Sequence, residues 1–112
     1  SYSEENMALA KASFEQLEME TPDDPTSYSL AQNFPNPFNP TTTIRYALPK
    51  AGNVTIKVYD LLGKEVATLV KGEKQAGRYS VTLDGSRLSS GDYLVRMHSG
   101  NYSKTIKILL MK

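Results

Sequence analysis

The chain has 112 residues, of which 39% are hydrophobic and 22% are charged, a composition typical of one globular domain with a short appendage and not of a disordered protein. It contains no cysteine, which excludes disulfides and thiolate metal sites. The net charge of +1 hides two unlike parts: residues 1–40 carry seven acids and one lysine, giving −6, whereas residues 41–112 carry twelve Lys and Arg and five acids, giving +7.

Residues 1–20 are predicted to form an amphipathic helix. Its apolar side chains recur at steps of three and four, which places them on one stripe: Met7, Ala10, Phe14 and Leu17. A lone helix of this length is marginal in water, so the stripe needs a surface to cover. Three surfaces remain open: the following β domain, a second copy of the chain in a homodimer, or a preceding cargo domain N-terminal to Ser1. The chain begins without Met, and we expect it to be part of a longer protein.

Residues 21–28 are predicted to be an acidic linker, because two prolines and two aspartates stop the helix there. A second proline-rich segment, NFPNPFNP, follows. Its residues are Asn33, Phe34, Pro35, Asn36, Pro37, Phe38, Asn39 and Pro40. Proline fixes φ and cannot donate to a sheet, so we expect a stiff, extended, polyproline-like lead-in that determines where the first long strand starts. Phe34 and Phe38 are expected to pack on the edge or end of the β domain.

From residue 29 onward the hydrophobic period is two. Alternating stretches predict strands at 43–48, 54–59, 65–70, 78–83, 92–97 and 103–110, with a short strand near 28–32. The gaps are rich in Gly, Ser, Lys and Asn, and no helical pattern intervenes. This pattern predicts a mainly β fold, an immunoglobulin-like antiparallel β-sandwich of about seven strands over residues 29–112, preceded by the one N-terminal helix.

A Gly-x-Tyr pattern recurs where three of the predicted strands begin. The pairs are Gly77 and Tyr79, Gly91 and Tyr93, and Gly100 and Tyr102. We expect each glycine to supply a positive φ at the exit of a turn, and each tyrosine to bury its ring while its hydroxyl reaches the rim.

Sequence signatures of catalysis are missing. His98 is the single histidine, and neither a G-x-S-x-G elbow nor a nucleotide-binding fingerprint occurs, so we expect neither an enzyme nor a cofactor. The loop DGSRLSSGD offers four oxygen ligands that could bind calcium, although tight turns explain the loop more simply: Asp84, Ser86, Ser89 and Asp92. The basic residues are spread over every strand and turn, so no nucleic acid is expected as a partner.

Carbohydrate binding is the main alternative function at this point. Five tyrosines could form a stacking platform for sugars, although tryptophan is absent: Tyr46, Tyr59, Tyr79, Tyr93 and Tyr102. The alternative is a carbohydrate-binding or adhesive accessory module of a secreted enzyme.

Three motifs in combination resemble a known family. They are NFPNPFNP before a strand, YDLLGK in a hairpin that contains Gly63, and LSSGDYLV ahead of the terminal KTIKILLMK. Over residues 29–112 the sequence resembles the C-terminal sorting domain of type IX secretion substrates, Por secretion type A, and it is similar to the immunoglobulin-like domain of flagellar hook-capping proteins. The resemblance implies a targeting domain that directs a larger secreted protein from the periplasm through an outer-membrane translocon to the surface of a diderm bacterium.

The resemblance also implies a second partner and a set of signal residues. A sortase-like peptidase would remove the domain by cleaving somewhere near residues 22–29, in or just after the linker, and exchange it for a surface lipopolysaccharide anchor. The sorting-signal residues that it implies are Gly91, Tyr93, Lys104, Lys107, Met111 and Lys112. Lys104 and Lys107 have a second interpretation, because lysines on a terminal strand also protect a sheet edge from aggregation.

Overall fold

The structure is a computed structural model that describes residues 25–112, and the helix predicted over residues 1–20 lies outside the described residues. Within residues 25–112 there is no helix, and therefore none long and apolar enough to cross a membrane. The seven strands are β1 (Ser29–Leu30), β2 (Thr41–Leu48), β3 (Gly52–Tyr59), β4 (Glu65–Lys74), β5 (Gly77–Asp84), β6 (Gly91–Ser99) and β7 (Tyr102–Leu110). Each lies where the period of two predicts a strand, and β4 continues four residues beyond its predicted end.

The strands form two antiparallel sheets, in the orders β1-β2-β5 and β4-β3-β6-β7. The chain therefore crosses between the sheets three times, after β2, after β4 and after β5. Strand β2 pairs with β5 along its whole length, from Thr41 opposite Asp84 to Leu48 opposite Gly77. The prediction of a mainly β fold with seven strands is confirmed for the described part of the chain.

One apolar core lies between the two sheets. Alternate residues of a strand point to the same face, so each long strand contributes every second side chain to it. Most of the core comes from four strands: Ile44, Tyr46 and Leu48 of β2, Val54, Ile56 and Val58 of β3, Tyr93, Val95 and Met97 of β6, and Ile106, Ile108 and Leu110 of β7. Because burial must stabilise a fold without disulfides, these four strands provide most of the buried apolar surface on which the fold depends.

Two of the three Gly-x-Tyr pairs share one geometry. In both, the tyrosine hydroxyl donates to the carbonyl oxygen four residues earlier, from Tyr79 to Gln75 at 2.7 Å and from Tyr93 to Ser89 at 2.6 Å. The glycines two residues before these tyrosines have φ values of 155° and 146°, which L side chains rarely adopt. The predicted positive φ is confirmed at all three glycines, since Gly100 has a φ of 59°. Of the two hydrogen-bonded tyrosines, Tyr93 is buried as predicted, whereas Tyr79 is only half-buried. Each hydrogen bond joins the start of a strand to the loop before it.

The tyrosines do not form an exposed platform. Tyr46 and Tyr79 stack on each other, with ring centroids 5.2 Å apart, and burial, together with the neighbouring Tyr79, raises the pKa of Tyr46. Tyr93 is only 7% exposed. Tyr102 stacks on Tyr28, and Tyr59 lies on the outer face of the four-stranded sheet. This scatter does not support the carbohydrate-binding alternative.

Candidate functional site at the C-terminal strand

The residues that the family resemblance singles out converge on β7, which is an edge strand. It pairs with β6 on one side, and its core-facing residues Ile106, Ile108 and Leu110 are 7%, 0% and 0% exposed. Lys104 and Lys107 are exposed on the same strand. Thus β7 is anchored by its apolar face and presents its lysines to solvent.

The second half of the outer edge of β7 is covered by residues 32–38. Four hydrogen bonds join the two segments: Gln32 Nε2 to the Lys107 carbonyl at 2.8 Å, the Leu109 amide to Asn36 Oδ1 at 3.1 Å, the Phe38 amide to the Leu109 carbonyl at 2.9 Å, and the Met111 amide to the Phe38 carbonyl at 2.9 Å. An uncovered edge would leave these backbone groups free to pair with another chain. The lead-in therefore fixes the last strand as well as the first long one.

The path of the lead-in differs from the extended, polyproline-like course that we predict. The chain bends at 35–37 and again at 39–40, between one bridge from Phe34 to Thr43 and another from Phe38 to Leu110. The peptide bonds that precede Pro35, Pro37 and Pro40 are cis. Hydrogen bonds to the Pro35 carbonyl oppose an extended course, because they draw the chain back on itself.

Those bonds come from a buried polar pair, Asn33 and Thr42, which are 3% and 2% exposed. Asn33 Nδ2 donates to the Pro35 carbonyl at 3.1 Å and to Thr42 Oγ1 at 3.0 Å, and Thr42 Oγ1 donates to the same carbonyl at 2.8 Å. Asn33 Oδ1 accepts a bond from Gln32 Nε2 at 2.8 Å. Buried polar groups are stable only when they are paired, so this network requires an asparagine at the start of the segment.

The two phenylalanines of the lead-in differ in burial. Phe38 is 1% exposed and packs in the core, deeper than the edge or end position that we predict, whereas Phe34 is 74% exposed, so its predicted packing is wrong. A Cβ on Gly85 would lie 3.2 Å from Phe38 Cε2 and 3.1 Å from Leu110 Cδ2, and the Gly85 amide donates to the Pro40 carbonyl at 2.8 Å. A side chain at Gly85 would therefore require these three chain segments to move apart by a few tenths of an ångström.

The two residues after β7 are exposed but not free of contacts. Met111 is 56% exposed. The backbone amide of Lys112 donates to Ser90 Oγ at 3.0 Å, and its Nζ donates to the Ser86 carbonyl at 2.7 Å. The final lysine therefore lies against the loop between β5 and β6.

That loop is ordered by a turn at its start. The Ser86 amide donates to Asp84 Oδ1 at 2.9 Å, and this hydrogen bond is the main reason that the pKa of Asp84 lies below its ordinary value. Asp84 acts as a turn former, in agreement with the simpler interpretation of the loop. No group of three His, Cys, Asp or Glu side chains that could hold a metal occurs within residues 25–112.

Gly91 and Tyr93 lie beside the end of β7. Gly91 is opposite Leu110 in the β6–β7 register, and Tyr93 is opposite Ile108. Because Tyr93 is buried, it can position the C-terminal strand but cannot offer a broad contact surface. The structure thus brings the predicted signal residues to one end of the four-stranded sheet, with Lys104 further along β7.

The β3–β4 hairpin lies at the same end. Asp60 Oδ1 accepts the amides of Leu62 and Lys64, both at 2.9 Å, and Gly63 has a φ of 89° that suits glycine. This rigid turn leaves Leu61 and Leu62 60% and 95% exposed.

Sequence reasoning did not identify the partners of the C-terminal end. These are Gln32, Gly85, Ser86 and Ser90. The only signal in the sequence was local. Glycine and serine between two aspartates indicate a turn, but they do not indicate which strand packs against that turn.

Comparison with known proteins identifies the family. The family model described as "Secretion system C-terminal sorting domain" matches residues 32–111, which include both the lead-in and all but the last residue of the C-terminal end. No curated protein matches the chain. The chain therefore belongs to the secretion system C-terminal sorting domains, and it carries the sorting signal of a type IX secretion substrate.

Proposed function

We propose that the type IX secretion machinery reads the exposed C-terminal end of this domain in the geometry that residues 32–38 impose on β7. The observation that carries the proposal is the contrast at the chain end, where Leu110 is 0% exposed and Met111 is 56% exposed. A partner can therefore reach the last two side chains while the strand before them is held in place.

The predicted signal residues divide into two roles under this proposal. Lys104, Lys107, Met111 and Lys112 are exposed and would contact the machinery. Gly91 and Tyr93 would act as positioning residues, because the glycine starts β6 opposite Leu110 and the tyrosine is buried. For Lys104 and Lys107, edge protection is the competing role, since β7 is the outer strand of its sheet.

The carrier of such a signal is a secreted or surface-attached protein of the Bacteroidetes. In our proposal the cargo precedes Ser1, and the whole protein reaches an outer-membrane translocon from the periplasm. A sortase-like peptidase then cleaves near the linker at 21–28, which precedes the sorting domain at 29–112, and exchanges the domain for a surface anchor. A sorting tail is not a catalytic domain, so the chemistry of the carrier would lie in the cargo.

We further propose that the domain is an immunoglobulin-like sandwich. The seven-strand plan of constant immunoglobulin domains places the first, second, fifth and fourth strands in one sheet and the third, sixth and seventh in the other. The present strand order follows that plan, except that β4 pairs with β3 instead of β5. This shift supports a variant of the plan with three strands in one sheet and four in the other.

The test uses residues 1–112 fused behind a reporter in a host that has type IX secretion. Trimming many residues from the C-terminus would be uninformative, because it removes the buried side chains of β7. Point substitutions of exposed side chains avoid this problem. Met111→Ala with Lys112→Gln should lower surface display about tenfold, equivalent to roughly 1.4 kcal/mol of lost recognition, with the reporter accumulating in the periplasm.

The matched control is Lys50→Gln, an exposed lysine in the turn between β2 and β3 that should leave display unchanged. Thermal unfolding of each variant separates lost recognition from lost folding. Export of the Met111→Ala, Lys112→Gln variant at the level of the original chain would contradict the proposal. Lys104→Gln with Lys107→Gln tests the competing role: unchanged export with increased aggregation would assign these two lysines to edge protection.

A further inference from the structure

The outer face of the four-stranded sheet carries basic side chains on its two central strands. Lys57 of β3 and Arg96 of β6 lie directly opposite each other, and both point outward because the residues beside them in each strand are fully buried. His98 follows on β6. Together with Thr55 and Tyr59 these residues line an open depression of about 240 Å³, which we call the Lys57–Arg96 site.

Like charges directly opposite each other in a sheet are destabilising unless an anion is near. Lys57 Nζ is 3.2 Å from Glu65 Oε1, and within residues 25–112 these two side chains form the single ion pair. Arg96 has a weaker partner there, since its Nη2 lies 3.4 Å from Ser103 Oγ. The His98 ring approaches the same hydroxyl at 3.2 Å. The site therefore has more cationic donors than carboxylates within the described part of the chain.

Edge protection does not explain these charges. The strand order β4-β3-β6-β7 places β3 and β6 inside the sheet, where their backbone groups already have partners on both sides. Charges that prevent edge-to-edge pairing belong on the outer strands.

The complementary charge is carried by the same chain. Residues 25–112 carry twelve Lys and Arg and five acids, giving +7, whereas residues 1–24 carry seven acids and one lysine, giving −6. We call residues 1–24 the acidic segment. Electrostatic complementarity of this size favours association and is weakened by salt.

The acidic segment joins the domain at the β7 edge of the sheet that carries the site, where Tyr28 packs against the core. The ring of Tyr28 stacks on Tyr102, with centroids 5.0 Å apart. Tyr102 begins β7 and is paired with the β6 residue that follows His98. Asp23 and Asp24 are only a few residues before this point, and an extended chain of 24 residues spans up to about 80 Å, so all seven acids can reach the site.

From charge, register and reach, we propose that the acidic segment binds in cis across the Lys57–Arg96 site, with its carboxylates paired to the two cations. The proposal does not depend on how the domain is sorted. It identifies the occupant as a segment of this chain, held mainly by exposed ion pairs that are individually weak and that act together.

The absence of cysteine makes the test direct, because Ser13→Cys provides one attachment point for a nitroxide in the full chain. In ¹⁵N-labelled protein the nitroxide should weaken the amide signals of Thr55, Lys57 and Arg96. The amides of Arg45 and Ser80, on the outer face of the other sheet, should keep the intensity that they have with the nitroxide reduced. About 1 M NaCl, where the Debye length is about 3 Å, should restore all signals.

Charge variants identify the surface. Lys57→Gln with Arg96→Gln should restore the signals, whereas Arg45→Gln with Arg78→Gln, the same loss of charge on the opposite face, should not. If the first pair impairs folding, Asp23→Asn with Asp24→Asn reduces the charge of the segment without altering the sheet and should restore the signals in part.

Three results would overturn the proposal. The first is equal weakening on both faces, and the second is no weakening at all. The third is weakening that arises when spin-labelled chain is mixed with ¹⁵N-labelled chain that lacks the nitroxide, because the occupant would then be a second copy.

Discussion

Replacing Gly85 by alanine tests the packing that fixes the end of β7. A Cβ at this position would lie 3.1 Å from Leu110 Cδ2, 3.2 Å from Phe38 Cε2 and 3.2 Å from the Pro40 carbonyl oxygen. Phe38 and Leu110 are 1% and 0% exposed, so neither side chain can turn into solvent to make room. The new methyl group must therefore push apart groups that are already in contact.

Two effects of opposite sign decide the magnitude. Overpacking a core costs about 1–3 kcal/mol. Glycine to alanine at a position whose backbone suits alanine stabilises by about 0.4–1 kcal/mol, because the unfolded chain loses freedom. We expect Gly85→Ala to lower the free energy of unfolding by about 1–2 kcal/mol, and each kcal/mol corresponds to roughly 4–8 °C in Tm for a domain of this size.

Urea denaturation at 25 °C, followed by circular dichroism, measures the change. Gly52→Ala is the matched control, since no heavy atom lies within 4 Å of its Cβ position; without overpacking it should leave the free energy of unfolding unchanged or raise it by up to about 1 kcal/mol. Equal stability of the two variants would refute the reasoning, because it would mean that Phe38 and Leu110 yield to a methyl group at no cost.

Three further variants test separate contacts. Asn33→Ala should lower the free energy of unfolding by about 1–3 kcal/mol, since it leaves buried groups unpaired, and a neutral result in urea denaturation would exclude the polar network as a source of stability. Tyr93→Phe removes the 2.6 Å bond to Ser89 and should cost about 0.5–1.5 kcal/mol by the same assay, and a cost near zero would contradict this role. The hydrogen bond from Thr68, followed by Lys57, lowers the pKa of Glu65 below its ordinary value of 4.5. The stabilisation from this carboxylate is therefore present above pH 4.5 and is lost as the pH falls through the lowered pKa. The difference in the free energy of unfolding between the original chain and Glu65→Gln should shrink on acidification. A difference that is independent of pH would contradict this contribution of Glu65.

The sequence was sufficient to place the strands because the relevant signal is local. In the central parts of β2, β3, β6 and β7 every second residue is apolar, and each of these strands was predicted to within three residues of its observed length. The Gly-x-Tyr pairs were equally readable, since a glycine at a turn exit and a tyrosine two residues later need only a few neighbouring residues to act. Such features depend on backbone geometry and period, which a sequence displays directly.

The candidate site was harder to predict because its parts are distant in sequence. Gln32 and Lys107 are 75 residues apart, and Asn36 and Leu109 are 73 apart, so no local pattern relates them. Phe34 and Phe38 illustrate the limit. Both are phenylalanines in the same proline-rich segment, and only the pairing of Phe38 with Leu110 decides which of the two is buried.

These distant pairings affect how a sorting signal can work. The four hydrogen bonds from residues 32–38 and the burial of Phe38 both require that the two ends of the domain meet. In a partially folded chain the two ends of the domain are not in contact, so its last residues would not be held against Ser86 and Ser90. We expect Asn36→Ala to accelerate hydrogen exchange of the Leu109 amide and to reduce export, while Asn39→Ala, which changes an exposed residue of the same type in the same segment, does neither. Normal export of a variant whose Leu109 amide exchanges freely would show that the machinery reads the terminal residues as a linear sequence.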